Sequence, residues 1–168
     1  FPGNISLSSL KRKGNVSSES FEFSSKNSSI VSLGSVILGG NAPADFTVSD
    51  GIRMIAPYAF AENTNIISFS DSESLRTIGE GAFYRCNNMK SIVIPDSVTS
   101  IGGWAFDGCS NLESVLILDS VLSIGESAFY NCTNLKSVSL GNNIISVGKY
   151  AFAYCKRLES IVIPDQIK

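Results

Sequence analysis

Four cysteines are the residues best suited to chemistry in this 168-residue sequence, and they recur at a fixed interval. Cys86, Cys109, Cys132 and Cys155 follow one another at steps of 23 residues. A metal site would favour close pairs such as Cys-x-x-Cys, which are absent. A disulfide would need Cβ directions that parallel side chains on stacked coils do not offer. We therefore predict a buried, reduced column in which each cysteine acts as a small apolar residue.

Serine is the other abundant nucleophile, with 29 residues, yet the sequence contains no histidine. Without an imidazole, a Ser-His-Asp triad, a His-ligated zinc site and the usual neutral-pH general base are excluded. A Ser-Lys pair is conceivable with Lys90 or Lys136, but we predict no catalytic residue, no cofactor and no metal. The 17% of charged residues and the net charge of −2 also argue against a nucleic-acid partner. No apolar run reaches the roughly 18 residues of a membrane-spanning helix.

A 23-residue repeat supplies the elements that must position these side chains. Within each unit, Leu-x-x-Ile-x-Ile alternates at period two and predicts a short strand. The Gly-x-x-Ala-Phe-x-x-Cys stretch predicts a short helical or 3₁₀ turn, and a second short extended segment precedes the next glycine. So small a unit cannot bury its own apolar residues, so neighbouring units must stack into a solenoid. The Ala-Phe pairs that mark the units begin at Ala59, Ala82, Ala105, Ala128 and Ala151.

The repeat divides the chain into three parts. Residues 55–168 hold the regular repeats, and residues 21–54 hold degenerate copies. Residues 1–20 match none of the positions that recur in each repeat and are predicted to form an N-terminal cap or a linker. An N-terminal segment of this kind would tolerate glycans at the candidate sites Asn4, Asn15 and Asn27, whereas a fourth sequon, at Asn131, falls inside a repeat.

The last copy ends at its strand, which leaves the apolar residues Leu158, Ile161 and Ile163 at the edge of the core. An uncapped coil exposes such residues to water. We therefore expect further repeats or another chain to cover them, and an end-to-end contact at this coil is one form of that cover.

The full unit, Ile-Gly-x-x-Ala-Phe-x-x-Cys-x-x-Leu-x-x-Ile-x-Ile-Pro, resembles the BspA-like class of leucine-rich repeats. This resemblance implies a right-handed, curved solenoid with a parallel β-sheet on its concave face. BspA-like proteins are typically surface or secreted proteins of host-associated bacteria and protozoan parasites, and several act in adhesion to host proteins or cells. A cell-surface or extracellular location is thus what the resemblance implies.

Residues between the apolar columns of each strand point outward and are the candidate partner-binding residues. They form one column of serines and a second column that mixes serines with apolar residues. Two interpretations stay open: a small polar ladder that only packs across the sheet, and a flat binding surface with exposed apolar contacts. The candidates are Ser68, Ser91, Ser114, Ser137 and Ser160 in the first column, and Ser70, Val93, Leu116, Ser139 and Val162 in the second.

Two further columns are interpreted as structural. Alternating charges at the start of the strands allow pairing between coils, and asparagines in the preceding turn satisfy backbone groups. The columns are Lys90, Glu113, Lys136 and Glu159, and Asn65, Asn88, Asn111 and Asn134.

The sequence therefore favours a non-enzymatic recognition module that binds a protein or a glycan through its concave sheet, as part of a surface adhesin. The alternative is a structural scaffold or spacer within a larger assembly, cytoplasmic in location, which reduced cysteines would suit.

Overall fold

The computed structural model describes residues 29–33, 36–71 and 73–167. The segment predicted as a cap or linker and the sequons at Asn4, Asn15 and Asn27 lie outside the described residues. In chain order the strands are β1 (Ser29–Leu33), β2 (Val36–Asn41), β3 (Asp45–Val48), β4 (Met54–Ile55), β5 (Ser68–Asp71), β6 (Thr77–Ile78), β7 (Ser91–Ile94), β8 (Ser100–Ile101), β9 (Ser114–Ile117), β10 (Ser123–Ile124), β11 (Ser137–Ser139), β12 (Ser146–Val147) and β13 (Ser160–Ile161).

The repeats form a β-solenoid of about five turns with parallel sheets, which confirms the predicted fold. Strands β7, β9, β11 and β13 form one parallel sheet, and the two-residue strands from β4 to β12 extend another. Partners are offset by one repeat, as in the pairs Ser91–Ser114 and Ile101–Ile124. At the N-terminal end, β1 pairs with β2 antiparallel.

Strand residues alternate between the core and the surface, as the period-two pattern predicts. In β7, Ile92 and Ile94 are buried whereas Ser91 and Val93 are exposed. This alternation carries the serines to one surface of the solenoid.

A stack of phenylalanine rings runs through the core along the solenoid axis. The centroids of Phe83 and Phe106 are 5.2 Å apart, and those of Phe106 and Phe129 are 5.0 Å apart, with interplanar angles of 5°. All three side chains are fully buried. Parallel offset rings of this kind contribute about 0.5–1.5 kcal/mol per pair beyond the burial of their area.

The segment from the glycine to the cysteine consists of successive turns closed by hydrogen bonds between residues i+3 and i. The Tyr84 N–H donates to the Gly81 carbonyl, whereas the Phe83 N–H donates to Ala105 on the next coil at 2.7 Å. Left-handed residues such as Gly81 (φ 56°) and Arg85 (φ 54°) interrupt the segment. The turns are thus β-turns, and because left-handed residues interrupt any helical run, neither an α-helix nor a 3₁₀ helix forms in the part of the chain that the structure describes.

Candidate functional site

The outward surface of β5, β7, β9, β11 and β13, with Val162 directly after β13, is here named the serine face. It brings all ten predicted binding residues together. Ser68 and Ser114 are half-buried. The other eight are exposed, namely Ser70, Ser91, Val93, Leu116, Ser137, Ser139, Ser160 and Val162.

Two apolar side chains lie next to each other within the serine face. Val93 and Leu116 are register partners in β7 and β9, and 53% and 39% of their surfaces are exposed. Val162, 80% exposed, follows the last residue of β13. Among the described residues, the hydroxyls of Ser91 and Ser137 have no hydrogen-bond partner. This face therefore presents apolar contacts beside polar groups that are free to bind.

The charged column contains an ion pair between Lys136 and Glu113. The Lys136 Nζ lies 2.6 Å from the Glu113 Oε2. The hydrogen bond from Lys136 and its positive charge lower the pKa of Glu113. The pair links two adjacent coils, as the alternating signs of this column predict.

The asparagine column contacts the preceding coil, in agreement with the structural role expected of it. The Asn111 Nδ2 donates to the Asn87 carbonyl at 2.7 Å, and the Asn88 Nδ2 donates to the Thr64 carbonyl. Asn131, the remaining sequon, is exposed and has a left-handed backbone with φ 55°.

The four thiols lie in one column along the core. Cys86, Cys109 and Cys132 are buried, and Cys155 in the last coil is half-buried. Each Sγ lies 3.1–3.2 Å from the carbonyl oxygen of a phenylalanine on the preceding coil. Burial raises the pKa of Cys86 to about 12 and also raises the pKa of Cys109 well above its usual value. Cys86 and Cys109 are therefore neutral thiols at physiological pH.

The last coil leaves part of its apolar column uncovered. Leu158 and Ile161 are half-buried, and Ile163 is 58% exposed, whereas Ile117 of the same column is 1% exposed. The exposure agrees with the position of β13 at the edge of its sheet, where, among the described strands, it pairs with β11 alone. The end-to-end contact suggested for them stays a prediction.

A groove at the corner after the longer strands was not predicted from the sequence. It has a volume of about 800 Å³ and lies beside Ser70 and Val93 of the serine face. Two signals in the sequence could have revealed it. Asp71 interrupts an apolar column that otherwise contains Val48 and Ile94, and acidic residues recur at the corner of successive coils, at Asp50, Glu73, Asp96 and Asp119.

Within the described residues, no group of three or more cysteine or acidic side chains could hold a metal ion. None of the secondary structure in residues 29–33, 36–71 and 73–167 forms a helix long and apolar enough to cross a bilayer.

Solved structures with the same fold are bacterial leucine-rich repeat proteins. A leucine rich repeat protein of T. pallidum aligns with a TM-score of 0.69 and 28% identity, over 73% of this chain and 60% of its own. A leucine rich cell surface protein of Faecalibacterium prausnitzii aligns with a TM-score of 0.66 and 25% identity, over 73% of this chain and 32% of its own. The pneumococcal vaccine antigen PcpA aligns with a TM-score of 0.67 and 20% identity, over 83% of this chain and 40% of its own. At this low identity, the similarity supports a shared fold only.

This chain thus spans less than two thirds of the length of each of these neighbours. No curated protein matches it significantly. The family profile of the BspA type leucine rich repeat region matches residues 53–168 in six copies. The chain therefore belongs to the BspA-type leucine-rich repeat family.

Proposed function

We propose that this chain is a non-enzymatic binding segment of a cell-surface or secreted BspA-type protein, and that the serine face contacts a protein partner. The observation that carries the proposal is the exposure of Val93 and Leu116 side by side in the sheet. Burying apolar surface contributes about 25 cal/mol per Å². A partner that covers Val93 and Leu116 removes their apolar surface from water, and this burial contributes free energy to binding.

The serines around the apolar pair suit a contact surface. Serine loses less rotamer entropy on binding than lysine, arginine or glutamate, and its hydroxyl both donates and accepts hydrogen bonds. Ser91, Ser114 and Ser137 form a straight row because their strands pair in register. These small side chains leave the apolar pair accessible, and their hydroxyls can hydrogen-bond to a partner that covers it.

The surface location is supported by the family and by the neighbour from Faecalibacterium prausnitzii, which is described as a cell surface protein. Leucine-rich repeat proteins typically act in recognition and not in catalysis. The absence of histidine from the sequence and the engagement of Lys136 by Glu113 both support the non-enzymatic assignment.

The test is a binding screen with the recombinant chain against immobilised extracellular-matrix proteins (collagen, laminin and fibronectin) and a glycan array. We expect saturable binding to at least one matrix protein, and loss of that binding in the double variant Val93→Asp/Leu116→Asp. Absence of binding to every matrix protein, or binding to glycans alone, contradicts the proposal of a protein partner. Equal binding by the double variant contradicts the role of the serine face.

A further inference from the structure

Large and small residues alternate in the position just before each Ala-Phe pair of the repeat. Tyr58, Trp104 and Tyr150 follow one another two coils apart, and Gly81 and Ser127 occupy the same position in the coils between them. All three aromatic side chains are exposed, and Trp104 is the single tryptophan of the sequence. Tyr58, Trp104 and Tyr150 are here named the aromatic row.

The backbone is left-handed at all five positions of this column, with φ between 52° and 58°. Glycine adopts this conformation without strain, whereas it is unfavourable for a bulky side chain. Folding alone would therefore favour glycine or asparagine here. Strained backbone tends to be kept at functional positions, so three aromatic residues in this column indicate a role for their rings beyond folding.

The Tyr58 ring extends onto the next coil and covers Gly81. Three of its carbon atoms lie within 2.9 Å of the place that a Cβ on Gly81 would occupy. The Tyr58 hydroxyl donates to the Glu80 Oε1 at 2.9 Å, which fixes the ring over that coil. The small residue thus lets the ring lie along the surface instead of projecting into water, and 45% of Tyr58 still remains exposed.

Hydrogen bonds between coils hold the aromatic row at a fixed spacing. The Tyr58 N–H donates to the Glu80 carbonyl at 2.7 Å, and the Trp104 N–H donates to the Glu126 carbonyl at 2.9 Å. Stacked backbones of this kind are about 4.8 Å apart, so residues two coils apart are separated by roughly 10 Å. The aromatic row therefore presents a ring at every second coil along the solenoid axis.

Carboxylates flank the aromatic row. Glu80 and Glu126 directly precede the two small residues of the column, and both are exposed. Neither forms an ion pair with another described residue. Carboxylate oxygens accept hydrogen bonds from hydroxyl groups and repel anions. The surface thus combines aromatic rings with hydrogen-bond acceptors and disfavours an acidic ligand.

We propose that the aromatic row binds an extended β-1,4-linked glucan, a function beyond the protein contact assigned to the serine face. Each sugar of such a chain carries C–H groups on its faces and hydroxyls at its edges. The C–H groups pack on the negative face of an aromatic ring, and the hydroxyls donate to Glu80 and Glu126.

The period of the glucan chain is the reason for choosing this ligand. Successive sugars are turned over relative to each other, so equivalent faces recur at every second sugar, at nearly the distance between residues two coils apart. Tyr58, Trp104 and Tyr150 then contact the first, third and fifth sugars of one chain. Since the coils are fixed by hydrogen bonds before binding, little conformational entropy is lost when the chain is bound.

The single tryptophan makes the test direct. We expect cellohexaose to change the fluorescence of Trp104 saturably, and maltohexaose, its curved α-1,4-linked isomer, to leave the fluorescence unchanged. Equal responses to the two sugars overturn the proposal. So does a response to chitohexaose without one to cellohexaose, since the ligand would then be an N-acetylated glycan.

A decaproline peptide tests a protein ligand at the same surface. Its polyproline II helix repeats at roughly 9 Å, which is also close to the two-coil spacing. We expect no change in Trp104 fluorescence on adding the peptide. Binding of decaproline in place of cellohexaose would make the aromatic row a peptide site and overturn the proposal.

Variants of the last coil separate ring stacking from a general aromatic effect. Tyr150→Asn removes a ring while keeping a residue that tolerates a left-handed backbone, and should weaken cellohexaose binding at least about fivefold. Tyr150→Phe keeps the ring and should keep the affinity. The matched control is Tyr154→Asn, because Tyr154 is also left-handed and is 62% exposed, against 64% for Tyr150, but lies outside the row. Equal affinities of Tyr150→Asn and Tyr154→Asn overturn the proposal.

The serine face is tested separately from the aromatic row. Val93→Asp/Leu116→Asp should bind cellohexaose as the unmodified chain does, and a loss of affinity in this variant would contradict the assignment of the glucan to the aromatic row. Matrix-protein binding without a fluorescence response to cellohexaose refutes the glucan proposal alone. Cellohexaose binding without matrix-protein binding supports the aromatic row and refutes the proposed protein partner instead.

Discussion

Gly125 and Gly103 lie on adjacent coils so close together that a Cβ on Gly125 would be 2.3 Å from the Gly103 amide nitrogen. The same relationship recurs along the column, since a Cβ on Gly148 would be 2.3 Å from the Glu126 amide nitrogen. The glycine of each Ile-Gly pair is therefore required for the approach of two backbones. This contact sets the distance between coils on one side of the solenoid.

Replacing Gly125 by alanine should destabilise the protein by about 2 kcal/mol or more, because the added methyl group forces the two coils apart. Urea unfolding followed by circular dichroism measures the loss. Gly103→Ala is the matched control: its Cβ would lie 3.1 Å from the Glu126 carbonyl oxygen, so the cost should be smaller. Equal losses in the two variants would contradict the role of close coil contact.

Replacing Phe106 by alanine should cost about 3–5 kcal/mol, because it removes a fully buried ring and leaves a cavity between two stacked rings. Denaturant unfolding again provides the measurement. Phe152→Ala, at the half-buried end of the stack, should cost clearly less. If the two variants lost the same stability, the ring stack would not be the continuous core described above.

The cysteines should react in an order set by burial. Under denaturing conditions, titration with a thiol reagent should find four free thiols. In the folded protein, pulsed alkylation read by mass spectrometry should label the half-buried Cys155 first and Cys86, Cys109 and Cys132 much later. Fewer than four thiols, or early labelling of Cys109, would overturn the buried and reduced column.

Stability should fall at alkaline pH because the pKa of Cys86 is raised to about 12 in the folded state. An unfolded thiol ionises near pH 8.5–9, so above that range the unfolded chain loses a proton that the folded chain keeps. The contribution of Cys86 is complete below about pH 9 and is lost progressively as the pH rises towards 12. Between pH 7 and pH 10, Cys86→Ala should lose about 1.4–2 kcal/mol less stability than the unmodified chain. An identical pH dependence in the two proteins would refute this linkage.

The sequence was sufficient to predict the solenoid, because apolar residues that recur every 23 positions can only be buried by stacking. The outward position of Ser91 and Val93 followed from the period of two in the strands. The corner groove did not follow in the same way. It depends on the separation of β5 from β7 and on the single carboxylate of Asp71 in an apolar column, and such a local departure becomes meaningful only when its neighbours in space are known.

The central claim is that Val93 and Leu116 form the centre of a binding surface. The most direct test compares dissociation constants for the matrix protein identified in the screen, using Val93→Asp/Leu116→Asp and the control Trp104→Asp/Tyr150→Asp. The control adds the same charge at exposed apolar residues away from the serine face, where a left-handed backbone tolerates aspartate. We predict that the first variant binds at least about tenfold more weakly and that the control binds as the unmodified chain does. Equal affinities of the two folded variants would contradict the claim.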